Sequence, residues 1–474
     1  MRQNSPMTNK LSPALLLVFL AVLLLLSAAP VKAATLIDPM PEKSTTLFGC
    51  AVAEVGDVDG DGVPDLAVGE RAADGDFDGA QGFGPPQNVG RVFLISGATQ
   101  AVIRPLNDPD YQMPTLDKFA GQLGSSVAAA GDLNGDGVPD VIAGVPHFSL
   151  VDLQAFTKII SSGKAYVFSG KDGTVLLTLS PPGPEENARA GFSVAGLGDI
   201  NSDGKPDFVI GAPGKNIGTG EEGKTDVGVA YFYSGADGSL IRTLSDPDST
   251  PDARFGYAVA NAGDVDGDGV SDCLIGAPGK AQVFVFSGKT GLLLFTISSP
   301  FKEKRNSFGS AVGGGKDFDN DGKPDFVVGA PLLKNSQGAA FIFKGKNGKL
   351  LRKLRNTTPQ KFSQFGASVA AIDDMTGDGR PDVAVGAPEE DVNGLINAGE
   401  TVIFDGALGS VFLTLTSETP QAFAGFGCSV LAVDFDGDGT VTPVIGVPYQ
   451  NADLIDPEDG DLVTHLQIGQ IEIH

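Results

Sequence analysis

Seven times along the 474 residues an aspartate-rich loop of the form D-x-[D/N/T]-x-D-G returns, each copy set between two short apolar strands. The first aspartates are Asp57, Asp132, Asp199, Asp264, Asp317, Asp374 and Asp434, so neighbouring copies stand 75, 67, 65, 53, 57 and 60 residues apart. A unit recurring at such a period buries its apolar faces by stacking on its neighbours, which makes this a repeat architecture. The fourth copy, from Phe255 to Ile297, reads as four strands: YAVANAG, CLIGAP, QVFVFSG and LLLFTI. They are rich in Val, Phe, Ile and Leu and are separated by glycine-bearing turns. Gly173, Gly238, Gly291, Gly348 and Gly409 recur at the turn before the fourth strand, where a tight hairpin requires positive φ. Seven such units predict an all-β chain, a seven-bladed β-propeller of four-stranded antiparallel blades.

The two ends of the chain predict how the ring closes. The seventh copy stops at GQIEIH, its third strand, whereas ATLIDPMPEKSTTLFG near the start aligns with the stretches that join a fourth strand to the next copy. Thr35 to Ile37 are therefore expected to complete the last blade and remove its open edge. Residues 34–474 read as one closed unit. Residues 1–33 read as a signal peptide: Arg2 and Lys10 precede an apolar run from Ala14 to Ala29, and Val31-Lys32-Ala33 has the small residues of a cleavage site. The expectation is an exported protein, extracellular or periplasmic, monomeric, with no membrane span in the mature chain.

The loops carry the chemistry. In the fourth copy Asp264, Asp266 and Asp268 stand at positions one, three and five, Val270 offers a carbonyl at seven, and Asp272 closes at nine. Alternate spacing turns these oxygens toward one hard cation, and an anionic all-oxygen set suits Ca²⁺ better than Mg²⁺. The same rule selects Asp57, Asp59, Asp61 and Asp65; Asp132, Asn134, Asp136 and Asp140; Asp199, Asn201, Asp203 and Asp207; Asp317, Asp319, Asp321 and Asp325; and Asp374, Thr376, Asp378 and Asp382. The seventh loop keeps Asp434, Asp436 and Asp438 but has Thr442 at position nine, which weakens it. Up to seven Ca²⁺ ions are expected. An EF-hand is excluded, because position twelve is Val68 or Ile275 where a glutamate is needed and strands flank the loop. The formal charge of −26 points the same way, with 24 aspartates concentrated in the seven loops. Carboxylates that close repel one another unless a cation intervenes.

FG followed by V-A, then the aspartate loop, then GAP resembles the FG-GAP repeat of integrin α-subunit propellers and their secreted bacterial relatives. Phe255-Gly256 with Gly276-Ala277-Pro278, Phe308-Gly309 with Gly329-Ala330-Pro331, and Phe365-Gly366 with Gly386-Ala387-Pro388 carry the likeness, which runs through nearly all of the chain after residue 33. The resemblance implies calcium in the loops between strands one and two, on the face opposite the one that binds ligand. It also implies adhesion or extracellular recognition of a protein or glycan. Integrin propellers usually fill only the later blades with calcium, and nothing in this sequence resembles an inserted ligand-binding domain, a leg or a cytoplasmic tail, so integrin signalling is not expected.

Ligand contacts are expected from the loops between strands two and three. Asp74, Asp76 and Asp78, the acids Asp453, Asp456, Glu458, Asp459 and Asp461, and Glu389, Glu390 and Asp391 fall in such loops of adjacent blades. They read as one negative patch or as a solvated acidic rim. The apolar loop from Pro146 to Ser162 either docks on the propeller or faces a partner. Cys50 and Cys428 occupy matching positions in ring-adjacent copies, as a bridge or as two small buried apolar residues, and Cys273 reads as core. Catalytic residues are not expected: His147, His465 and His474 are the only histidines, and no nucleophile arrangement accompanies them. The alternative is a carbohydrate-binding or polysaccharide-degrading propeller, against which the absence of tryptophan counts. The negative charge disfavours nucleic acid.

Overall fold

Each repeat folds into one sheet of four hydrogen-bonded strands, seven such four-stranded sheets among the described residues, in the computed structural model of the chain. The residues described are 34–37, 46–72, 89–112, 121–152, 157–218, 223–303, 306–435, 437, 439–455, 462–467 and 470–474. Blade 4 is built from Ala258–Gly263, Asp272–Ala277, Gln282–Phe286 and Leu293–Ser298, each antiparallel to the next. Its second strand is buried at every residue, as is the second strand of each other blade. That strand is covered on both faces, so its sequence is a continuous apolar run rather than an alternation. The outermost strand Leu293–Ser298 is covered less and is mostly exposed or half-buried.

The innermost strands, Phe48–Gly56, Val127–Gly131, Ser193–Gly198, Ala258–Gly263, Val312–Lys316, Ser368–Ile372 and Ser429–Val433, lie each against the next, and the last returns to the first. One contact explains the recurrence of both glycine motifs. A Cβ at Gly276, the glycine of GAP in blade 4, would sit 2.0 Å from the carbonyl oxygen of Gly309, the glycine of FG in blade 5. The same contact joins blade 7 to blade 1, where a Cβ at Gly446 would lie 2.0 Å from the Gly49 oxygen. Ser429 Oγ donates to that oxygen at 2.8 Å and helps to seal the ring.

The closure follows the sequence expectation. Ala34–Ile37 is the outer strand of the seventh sheet, beside Gln470–Ile473, Thr442–Val447 and Ser429–Val433. Thr35–Ile473 form one compact unit. The leader read from residues 1–33 lies outside the described residues. No described helix is long and apolar enough to cross a membrane.

Two loops between strands two and three carry hairpins of their own, Leu150–Asp152 with Thr157–Ile159 in blade 2 and Asn451–Ile455 with Leu462–Gln467 in blade 7. In the apolar loop of blade 2, Phe148 docks on the core between blades 1 and 2, with the Lys164 ammonium 3.3 Å from its ring centroid. The three cysteines are free thiols. Cys273 is core, but Cys50 and Cys428 are half-buried rather than fully enclosed.

Candidate metal centres in the seven loops

Backbone N–H groups organise each loop around its first aspartate. In blade 4 Asp264 Oδ1 accepts from the N–H of Gly267 at 2.6 Å and of Asp268 at 3.0 Å, and Oδ2 accepts from Gly269 at 3.0 Å. Asp266 and Asp268 each accept from the N–H two residues on, at 3.0 Å in both cases. Gly269, at position six, has φ of +86° with open space around it, so glycine is needed there for the backbone turn and not for packing. Blade 1 repeats this pattern through Asp57, Asp59 and Asp61, and blade 2 through Asp132, Asn134 and Asp136. Asp199 and Asp203 do so in blade 3, Asp317 and Asp321 in blade 5, and Asp374 and Asp378 in blade 6. The N–H of Gly137, joined by those of Gly135 and Asp136, holds the Asp132 carboxyl below the usual carboxylate range.

The carboxylates converge as a cation would require. One oxygen from each of Asp57, Asp59 and Asp61 lies within 4.8 Å of the others, and the same holds for Asp264, Asp266 and Asp272 and for Asp317, Asp319 and Asp325. Oxygens bound to one Ca²⁺ at about 2.4 Å can stand no further apart than about twice that, so these sets fit the ion. In blades 2 and 3 the amides of Asn134 and Asn201 donate to Asp136 at 2.9 Å and to Asp203 at 2.7 Å, which places the position-three and position-five side chains together there too. In blade 6 Thr376 Oγ1 lies 3.3 Å from Asp374 Oδ1 and 3.5 Å from Asp382 Oδ1. Lys344 pairs with Asp319 in blade 5, an ammonium set against a carboxylate of the loop.

The ninth position does more than the sequence suggested. Asp272 is fully buried; its Oδ2 accepts from Val265 at 2.9 Å and Asp266 at 3.2 Å, and its Oδ1 from Gly288 at 3.1 Å. Gly288 lies in the turn between strands three and four, so one side chain ties two turns of the blade together. Asp65 with Gly97, Asp140 with Gly170, Asp207 with Gly235, Asp325 with Gly345 and Asp382 with Gly406 make the same tie, at 2.8 to 3.1 Å. Burial outweighs these donors and pushes Asp272 up to about 6 and Asp325 up to about 7. The seventh loop departs from the pattern for a topological reason. Blade 7 takes its fourth strand from the other end of the chain, so it has no such turn for a ninth-position acid to hold, and Thr442 stands there. Asp434 still accepts from Gly437 at 2.8 Å and Gly439 at 2.9 Å; Asp436 and Asp438 lie outside the described residues.

The turn glycines Gly97, Gly170, Gly235, Gly288, Gly345 and Gly406 are functional positions that sequence reasoning missed. Their distance from the ninth aspartate varies with the loop between strands two and three, so no fixed spacing reveals them. In blades 2 to 6 the signal was a second glycine three residues ahead of the one already noted in the turn; blade 1 has Gln100 at that later place. The acidic rim also changes: Glu390 is only 1% exposed and belongs to the interior, since the chain folds inward after GAP. Asp391 is exposed and Glu389 half-buried. Asp74, Asp76, Asp78, Asp456, Glu458, Asp459 and Asp461 lie outside the described residues, and only the backbone of Asp453 is described.

A closed propeller of seven blades, each with an aspartate loop between its first two strands, is the class of protein that fold and site define. The family model of the FG-GAP repeat matches residues 123–168, 190–233, 308–343 and 365–404, which are blades 2, 3, 5 and 6. Integrin alpha pat-2 of Caenorhabditis briggsae is 31% identical over 236 residues, covering 46% of this chain and 18% of that protein. Integrin alpha-5 of Xenopus laevis is 33% identical over 228 residues, 44% of this chain and 20% of its own, and integrin alpha-V of Gallus gallus 34% over 224 residues, with the same shares. The chain carries FG-GAP repeats in these four blades. It spans about a fifth of the length of these curated relatives.

Proposed function

We propose that this chain is an exported, calcium-stabilised binding module that recognises an extracellular protein or glycan and performs no chemistry of its own. The observation that carries the reading is the integrin α-like propeller with acidic loops on one face, which leaves the opposite face, built from the loops between strands two and three, for a ligand. The loop carboxylates of Asp57, Asp59 and Asp61, of Asp264, Asp266 and Asp272, and of Asp317, Asp319 and Asp325 would hold calcium. The ion would supply positive charge to clusters that otherwise repel, and through the ninth-position acid it would brace the turn between strands three and four. Calcium thus stiffens the scaffold and does not touch the ligand.

Two measurements test this reading. The exported protein, screened on arrays of extracellular proteins and glycans in calcium and in EDTA, is expected to bind in calcium and to lose binding as the scaffold loosens. Silence on both arrays in calcium sinks the binding-module reading. N-terminal sequencing of the exported protein is expected to begin at Ala34; a chain that retains Met1 refutes the leader.

A further inference from the structure

Blade 5 runs against the charge of the whole. Between residues 300 and 361 stand 13 of the 33 lysines and arginines but only five acids, four of them in the aspartate loop. Some of these cations serve the loop side of the blade, as Lys344 and Lys316 do through Asp319 and Asp373. On the other side Lys353 and Arg355 stand over Phe301, Lys334 is close enough for its charge to act on Lys353, and Lys302 follows Phe301 in the chain. The Lys353 ammonium stands 3.9 Å from the centroid of that ring and the Arg355 guanidinium carbon 6.0 Å. Among the described residues no carboxylate lies within ion-pair distance of these four side chains. Burial, then the charges of Arg355 and Lys334, pull Lys353 down to about 8. Like charges held together without a counterion cost free energy in the unliganded protein and attract an anion.

Beside this cluster a cleft of about 980 Å³ opens between blades 4 and 5, lined by Arg254, Tyr257, Gln282, Phe301, Lys302 and Ser310 and also by the acids Asp252 and Glu303, while Lys353 and Arg355 stand outside its lining. Two of its polar groups are incomplete. Gln282 Oε1 and Ser310 Oγ are buried and have no hydrogen-bond partner, although Gln282 Nε2 donates to Ser298 Oγ at 3.1 Å. Buried groups of this kind are ordinarily satisfied, so each points to a missing partner. Lys280 is not one of the free cations, since Asp246 and Asp248 each hold it at 2.7 Å. Tyr257 is braced by Phe192, with ring centroids 4.7 Å apart.

We propose that the cleft between blades 4 and 5 binds an acidic glycan, its sulfate or carboxylate groups drawn to Lys302 in the lining and to the field of Lys353 and Arg355 beside it, and its hydroxyls completing Gln282 and Ser310. Hydroxyl groups fit both vacancies, because each can donate to Gln282 Oε1 and accept from Ser310 Oγ. The carboxylates of an acidic peptide supply charge but no donor. Tyr257 and Phe301 offer ring faces to a sugar in place of the tryptophan the chain lacks. The inference rests on reading the propeller as a binding module and names its ligand.

The experiment is calorimetric titration of the full exported protein, in calcium-containing buffer, with a chondroitin sulfate hexasaccharide. A neutral maltohexaose and a hexaglutamate peptide serve as controls. The hexasaccharide is expected to bind, and both controls to bind at least about tenfold more weakly. Lys302→Glu with Lys353→Glu removes two favourable charges and adds two repulsive ones, so a loss of about tenfold or more is expected. Gln282→Leu is expected to weaken the hexasaccharide about fivefold without altering the response to hexaglutamate. An unchanged thermal transition in calcium shows that each variant is folded, and Lys302→Glu alone, at an exposed residue, serves if the double variant is not. Equal binding of hexaglutamate overturns the glycan class, and binding untouched by the charge reversals places the anion elsewhere and overturns the site. Absence of hexasaccharide binding by a protein that binds other ligands on the arrays overturns this inference alone, whereas silence on the arrays as well overturns the binding-module reading with it.

Discussion

Replacing Asp272 by alanine separates the two duties of the ninth-position acid. In the folded protein its carboxylate accepts from three backbone N–H groups, and those of Val265 and Gly288 are buried. Each buried donor left without an acceptor costs about 1–3 kcal/mol, so Asp272→Ala is expected to destabilise the protein by about 4 kcal/mol even without calcium. Asp266 is exposed and accepts one N–H from its own loop, so Asp266→Asn should change the calcium-free protein by no more than about 0.5 kcal/mol. Urea denaturation of parent and both variants, in EDTA and in calcium, gives four differences. Asp272→Ala should unfold at lower urea in both buffers, while Asp266→Asn should do so only in calcium, where it lacks a charged ligand. If Asp272→Ala matches the parent in EDTA, or loses stability only when calcium is present, the bracing of the strand three to four turn is not its role and the argument fails.

Removal of calcium is expected to lower the Tm by several degrees at least: an ion at about ten times its Kd contributes about 1.4 kcal/mol per site, so several sites together approach the stability of a domain. A scanning calorimeter trace unmoved by EDTA refutes it. Burial first, then the Glu400 charge, pushes Glu390 up to about 7, and the Ser363 and Asn356 side chains offset this only in part. A folded-state value above the unfolded one stabilises below pH 4.5, and that contribution is lost as pH rises through 7, so Glu390→Gln should be the more stable protein at pH 8 by about 2–3 kcal/mol and no better at pH 4.5. Equal pH profiles for parent and variant would show that Glu390 is not buried as a strained acid. Gly276→Ala drives a Cβ to within 2.0 Å of the Gly309 oxygen and should cost about 2–4 kcal/mol, read as a fall in Tm; a neutral substitution would mean that the blades are not in that contact. Deleting Thr35 to Ile37 exposes the edge of Gln470–Ile473, and the deletion should both lower the Tm and promote association in light scattering.

What the amino-acid order determined by itself was everything that depends on near neighbours. The aspartates at positions one, three and five are joined to N–H groups two to five residues on, so the convergence of all three in blade 1, and of positions one and three in blades 4 and 5, was legible as spacing. The four strands of each unit were legible as apolar runs between glycine turns, and the missing strand of blade 7 as an alignment of the two ends. Tertiary structure decided what spans variable loops or different blades. The tie from Asp272 to Gly288 covers 16 residues, whereas that from Asp65 to Gly97 covers 32, so no regular interval marked the turn glycine or explained why Thr442 suffices where that turn is absent. The reason for glycine in GAP lies in the next blade, at the Gly309 oxygen, and is invisible within one repeat. Glu390 looked like a surface acid beside Glu389 and Asp391 until the fold enclosed it, and Phe301, Lys334 and the pair Lys353 and Arg355 came together only when three segments met. Hydrogen bonds to the local backbone obey sequence distance, whereas burial and through-space charge obey only the distances that packing creates.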